Sequence, residues 1–178
     1  MTSIFKHTNH EVYILTAQGL KEAGFAATWV LPASLLPGTP RFMVLATPDN
    51  ETTKTILETK KFVIHLLEKS QASLLPEFGL ESSKDKDKFH SINTKPSDFG
   101  PIIDGVVGYH LCELAATFDI GERLILIGDV KGGEVSMSKE PLRKNEAFAA
   151  LSPKIVSALK EKHLKLGEIA KKTYREQL

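Results

Sequence analysis

Between Gly24 and Phe62 the chain sets out small residues, hydroxyls and one aromatic in a pattern that could hold an anion at one end and a flat ring at the other. Ala26-Ala27-Thr28-Trp29 comes first, then Ser34, then Thr52 and Phe62, with apolar runs between them. Small residues let a ligand approach backbone N–H groups, and threonine hydroxyls add directed donors. A phosphate needs several such donors, because burying its charge unpaired is strongly unfavourable. A phosphorylated, ring-bearing ligand is the chemistry this pattern implies. Each residue also has a plainer role open to it. Trp29, the only tryptophan, suits core packing as well as a ring wall. Thr28 fits a strand, Thr52 a helix cap, and Ser34 a loop between Pro32 and Pro37, where serine is common.

Other chemistries find less support. No dinucleotide-type glycine motif occurs, and no Gly-x-Ser-x-Gly elbow surrounds Ser34, so Ser34, His65 and Asp49 do not make a hydrolase pattern. The six histidines (His7, His10, His65, His90, His110, His163) include no His-x-x-x-His helix pair, and no metal site is expected. Cys112 is the single cysteine, so no internal disulfide forms. Lys+Arg 23 against Asp+Glu 22 leaves a formal charge of +1, so no global field draws the chain to nucleic acid or to an anionic membrane. Met1 to Glu11 is polar, unlike a secretory signal, and no apolar run could cross a bilayer. A soluble protein of a reducing, cytoplasmic compartment is expected.

The elements that must position these residues are mostly short strands. Runs at Glu11–Ala17, Phe25–Leu31, Arg41–Ala46, Lys61–Leu67, Val107–Ala115 and Leu124–Val130 read as strands, punctuated by glycine and proline. Gly132-Gly133 reads as a hairpin leading into Glu134–Met137. Short helices fit Glu51–Thr59 and Ser70–Phe78, the second with Ser70 as N-cap and Gly79 as its stop. Glu81–Lys88 is a charge-dense loop, and Ile92–Pro101 is turn-rich. From Ser152, with Pro153 at the first helical position, Ile155, Val156, Leu159, Leu166 and Ile169 recur at helical spacing to the end of the chain. Five to seven short strands with brief helices argue for one antiparallel barrel domain. Residues 1–150 form that domain and 151–178 a helical extension, a cap or a partner-binding arm.

In order, these stations resemble the flavin reductase-like, FMN-binding split-barrel family, over Glu11 to Leu142. Gly24-Phe25-Ala26-Ala27-Thr28-Trp29 stands where the family reads Gly, then Thr-Ala-Ser-Ser or Thr-Ala-Ser-Trp; Ala33-Ser34 and Pro40 follow. Thr52 precedes Phe62 by ten residues, as in the family's Thr before a Phe-x-Val-Asn strand. Gln71-Ala72-Ser73-Leu74 with Phe78 matches Gln-x-x-Leu-x-x-x-Phe. Lys88-Phe89, Gly100-Pro101-Ile102, Cys112, Gly121-Glu122-Arg123, Gly128-Asp129-Val130 and Pro141-Leu142 continue the order.

The resemblance implies a mainly β fold with short helices: a six-stranded antiparallel split barrel plus a C-terminal helix, paired as a homodimer with FMN at the subunit interface. It implies cofactor contacts from Ala26, Ala27, Thr28, Trp29, Ser34, Thr47, Thr52, Lys54, His65, Gln71 and Arg123. Thr28 and Thr52 would meet the phosphate, while Trp29, Ser34 and the backbone at Leu45–Thr47 would meet the ring. Glu51 at a helix start would oppose an anion, and Lys54 could assist one or be solvated. His65 replaces the usual asparagine, either as a flavin contact or as a structural strand histidine. Arg123 either stabilises charge on the flavin or forms a salt bridge. Ala26 for threonine, and Arg143-Lys144 for an aromatic, are further departures. Two functions follow from the resemblance: an NADH- or NADPH-dependent flavin reductase, which would pass electrons to a redox partner protein or a second substrate, or a non-catalytic FMN-binding or electron-relay protein. No catalytic residue is required of the chain, because the flavin carries the hydride chemistry.

Overall fold

A computed structural model describes residues 7–36 and 38–176, the last five of these by backbone alone. Pro37, the start of the polar leader and the final two residues of the expected tail helix lie outside the described residues. The strands are β1 (Tyr13–Gln18), β2 (Glu22–Ala27), β3 (Val30–Pro32), β4 (Arg41–Ala46), β5 (Lys61–Leu66), β6 (Thr94–Lys95), β7 (Ile102–Ile103), β8 (Gly108–Asp119) and β9 (Leu124–Val135). The helices are α1 (Glu51–Thr59), α2 (Leu75–Leu80), α3 (Lys144–Ala150) and α4 (Pro153–Glu176).

Seven strands make one antiparallel sheet in the order β2-β1-β5-β8-β9-β4-β3, and β6 and β7 pair as a separate ribbon. The expected strand Phe25–Leu31 is in fact two. β2 pairs with β1 on one edge of the sheet, whereas β3 pairs with β4 on the other. Only Thr28 and Trp29 join them, and three peptide steps reach no further than about 11 Å. The sheet must therefore curl until its edges almost meet, and the chain itself bridges the seam. Six expected strands become seven by this division.

Two apolar clusters follow from the alternation of side chains across the strands. Leu15, Phe25, Val44, Phe62, Cys112 and Leu126 fill the inside of the curl. Ile14, Leu67, Phe78, Phe89, Ile103 and Leu142 form a second core on its outside, beneath α2, α3 and the ribbon.

Several local expectations need correction. Gly132-Gly133 is no hairpin: β9 runs through it, and the register against β8 shifts between Leu111 and Cys112. Gly133 has φ 148°, and a Cβ there would lie 2.1 Å from the Tyr109 carbonyl oxygen, so only glycine fits this bulge. A second shift, between Leu114 and Ala116, falls where β8 was expected to end; the strand continues to Asp119. The helix expected over Ser70–Phe78 is a 3-10 turn, Lys69–Leu74, running into α2, and its cap is Glu68, whose carboxylate accepts from Ser70 N–H at 2.9 Å. Gly79 does not end α2 but lies within it, and Leu159 of α4 packs against it, 2.7 Å from where a Cβ would stand. Helix α3 has no counterpart in the sequence reading. Its first N–H groups are met by His10 O, Asn9 Oδ1 and, through a Glu146 bond to Arg143 N–H, its own third residue.

Candidate functional site

The turn from β4 into α1 gathers the residues that could hold a ligand. Asn50 caps α1, its Oδ1 accepting from Thr52 N–H at 2.9 Å, while Asn50 N–H donates to Thr47 O at 3.2 Å. Asparagine is among the preferred N-caps, which explains why the helix starts at Glu51. Thr52 and Thr53 are 1 % and 0 % exposed, and neither hydroxyl has a hydrogen-bond partner among the described residues. An unpartnered buried hydroxyl costs about 1–3 kcal/mol, so two of them in one helix turn are the feature of this region that calls for an explanation. Both stand where the α1 dipole is positive. Glu51, whose position at the helix start opposes an anion, pairs with Lys54 Nζ at 2.9 Å in an exposed ion pair that offsets part of its charge. That contact also holds the Lys54 ammonium above its ordinary pKa.

Thr47 joins this helix start to an aromatic and a cation. Arg123 Nη1 donates to Thr47 Oγ1 at 2.5 Å, and the guanidinium lies 5.7 Å from the Trp29 ring centroid. Leu45 N–H donates to Trp29 O at 3.1 Å, tying the seam crossing to β4. Arg123 Nε is buried and without a partner among the described residues. Trp29 is 40 % exposed, so it is not the core residue its apolar run allowed. Arg123 makes a cation–π and hydroxyl contact where a salt bridge was the alternative.

The remaining expected site residues fall elsewhere. Ala26 packs toward the outer core and Ala27 toward the barrel interior, with Thr28 half-buried at the seam. Ser34 Oγ accepts from Leu36 N–H at 3.1 Å within its own exposed loop. His65 is fully buried. Its Nδ1 lies 3.0 Å from Ile14 O and its Nε2 accepts from Ile103 N–H at 3.2 Å, which leaves neither nitrogen for a ligand. Burial pushes its pKa down to about 4, so the ring is neutral. The reading of His65 as a flavin contact gives way to the strand-histidine reading. Gln71 is likewise committed, donating to Asp104 O at 2.9 Å and accepting from Glu68 N–H at 3.0 Å. Cys112 lies in the barrel core with its thiol pushed up to about 12 by burial, and is inert as a nucleophile.

Trp29 is exposed at this site, while the Thr52 and Thr53 hydroxyls lie beneath its surface. Two clefts lie away from it: one of about 250 Å3 between the ribbon and the end of β9, lined by Lys95, Tyr109 and Lys139, the other of about 360 Å3 beside Gln71 and Asp104. Thr53 and Asn50 escaped the sequence reading. Two adjacent β-branched residues in a helix's first turn, after a Pro-Asp-Asn turn, are a local mismatch that could have pointed to them.

The flavin reductase like domain model matches residues 5–152. The reductase subunit HsaB of a flavin-dependent monooxygenase from Mycobacterium tuberculosis is 31 % identical over 122 residues, 68 % of this chain and 60 % of that protein. A flavin reductase from Pseudomonas putida is 32 % identical over 125 residues, 68 % and 69 % of the two chains. The structure of nitrilotriacetate monooxygenase component B from Mycobacterium thermoresistibile superposes with a TM-score of 0.70 at 28 % identity, over 79 % of this chain and 78 % of that one. The chain thus spans about three fifths of the length of the first of these relatives.

Proposed function

The chain belongs to the flavin reductase-like family, and from that premise we propose that it binds FMN as a homodimer and uses NADH or NADPH to reduce it. The observation that carries this reading is the pair of buried hydroxyls on Thr52 and Thr53, unpartnered among the described residues, at a helix start that Asn50 and Thr47 link to the Trp29–Arg123 pair. Hydroxyls at a helix start suit a phosphate, and an exposed indole with a guanidinium beside it suits a ring with a polar edge. Bound flavin would supply the hydride acceptance and donation. The chain's own residues bind and orient. Thr52 and Thr53 would donate to the phosphate, Trp29 would give the ring a wall, and Arg123, fixed by Thr47, would keep a positive charge beside that wall.

The outer face of the sheet supports pairing of two copies. In register across β3, β4, β9 and β8, Leu31, Met43, Leu45, Ile125, Ile127 and Phe118 point away from the core. Leu31 is 46 % and Phe118 56 % exposed. The Arg41–Asp129 ion pair at 2.6 Å and the Lys131–Glu113 pair at 3.2 Å border this apolar stripe. An apolar stripe with a polar rim is the pattern of a subunit interface. Trp29 lies beside Leu45 at its margin, so the exposed indole would be covered by a second copy. Residues 1–150 act as the barrel domain and 151–178 as its extension. Reduced flavin would leave for a partner protein, as the name of the monooxygenase reductase subunit suggests for its own enzyme.

Equilibrium titration with FMN, followed by anaerobic addition of NADH or NADPH, tests the reading. Tight binding with bleaching of the flavin's long-wavelength band is expected. Binding without bleaching by either nucleotide would leave a non-catalytic flavoprotein. No binding at any FMN concentration would end the proposal.

A further inference from the structure

Among the buried described residues Lys88, 3 % exposed, is the only one carrying a charge. Its Nζ donates to Gly24 O at 2.7 Å and lies 5.7 Å from the Phe78 ring centroid. Gly24 belongs to β2, which pairs with β1 alone, so one side of the strand is a free edge. There Ser83 Oγ accepts from Gly24 N–H at 3.1 Å, and side chains from the 81–88 loop replace the missing strand. The Phe78 ring fills the space above Gly24, where a Cβ would lie 2.7 Å from Cε1. Three residues later β2 ends, and Thr28–Trp29 cross the seam.

A buried ammonium is an unfavourable way to hold a carbonyl, because its desolvation offsets much of the bond and an uncharged donor would serve a purely structural need. We propose that Lys88 is a positioning residue, its ammonium gripping the Gly24 carbonyl on the free edge of β2 and thereby setting where Trp29 leaves the strand and meets Arg123. The flavin consequence rests on the reading given above; the coupling of Lys88 to Trp29 does not.

The groups facing Lys88 are Lys162 on α4, Glu77 on α2 and Glu81 in the loop. Desolvation first, then Lys162, lower the ammonium's pKa to about 8, against the pull of the two carboxylates. Lys162 itself donates to Leu80 O at 2.8 Å, so α4, which lies beyond the matched domain, reaches the same cluster. As pH rises through about 8 the ammonium loses its proton, and the neutral amine is a weaker donor, so the grip slackens. Stability moves oppositely. The folded pKa lies below the ordinary 10.5, so between about 8 and 10.5 the unfolded chain holds more protons and stability rises with pH. Positioning and stability therefore separate by sign.

Trp29 is the only tryptophan, so its emission reads the site without any ligand. In ligand-free wild type, the emission and acrylamide quenching of Trp29 should titrate with a midpoint near 8. Lys88→Met and Lys88→Arg should both be flat there, and Lys162→Met should move the midpoint upward. Lys88→Met should weaken FMN binding about tenfold with an unchanged or higher Tm, and Lys88→Arg should restore most of the affinity. A flat wild-type titration, or one that persists in Lys88→Met with FMN affinity unchanged, overturns the proposal. Should Lys88→Met not fold, the direction of the Lys162→Met shift decides. A wild-type titration as expected, in a protein that takes up no FMN, would sink the flavin reading and keep the coupling.

Discussion

The start of α1 and the middle of β5 both bury polar side chains, and they do so in opposite conditions. His65 on β5 has both ring nitrogens engaged by backbone groups of Ile14 and Ile103. Thr52 and Thr53 on α1 have hydroxyls without a partner among the described residues. Both regions carry residues that the family resemblance assigns to the flavin. Their hydrogen bonding separates them: a satisfied polar group is scaffold, and an unsatisfied one is where a ligand adds free energy without displacing an existing bond.

The largest effect that probes this contrast should come from His65→Leu. Removing the buried ring that bridges two backbone segments, and leaving Ile103 N–H without its acceptor, should cost about 3 kcal/mol of stability in urea unfolding. FMN affinity of the folded fraction should stay as in wild type, and a selective loss of affinity would return His65 to the site. A similar magnitude should appear in the pH dependence. With a folded pKa of about 4 against an ordinary 6.5, His65 contributes stability above pH 6.5 that is lost as pH falls toward 4. The loss amounts to about 3 kcal/mol, and should be absent from His65→Leu. Thr52→Val probes the other side. FMN should bind about tenfold to thirtyfold more weakly, while Tm holds or rises, because the variant removes an unsatisfied hydroxyl. A fall in Tm with unchanged affinity would make Thr52 scaffold as well. Lys54→Ala should change affinity less than about threefold, because its ion pair with Glu51 is exposed.

The sequence made some of this architecture legible. β4 and α1 have the expected limits, Arg41–Ala46 and Glu51–Thr59, because turn residues before β4 and at Pro48-Asp49-Asn50 punctuate them. The split at Thr28–Trp29 was hidden, since Phe25 to Leu31 holds no glycine or proline to punctuate it, and only pairing to opposite sheet edges divides it. β8 and β9 ran past their expected ends because bulges let a strand continue through residues that otherwise signal a turn. α3 was missed because its cap comes from Asn9 and His10, 136 residues from Asn145 in the case of the Asn9 bond. Residue types named Thr28, Trp29 and Thr52 as candidates and the family resemblance added Thr47 and Arg123; of these Trp29, Thr47 and Arg123 do meet. The same reasoning could not remove His65 and Gln71, because a residue's type does not reveal which backbone group it will meet.

The central claim is that the hydroxyls at the start of α1 grip a phosphate, and it is tested most directly by comparing the dissociation constants of FMN and riboflavin, which differ by that group. Wild type should prefer FMN by about a hundredfold, and the Thr52→Val/Thr53→Val double variant should lose most of that preference. Riboflavin binding to wild type as tightly as FMN would contradict the account.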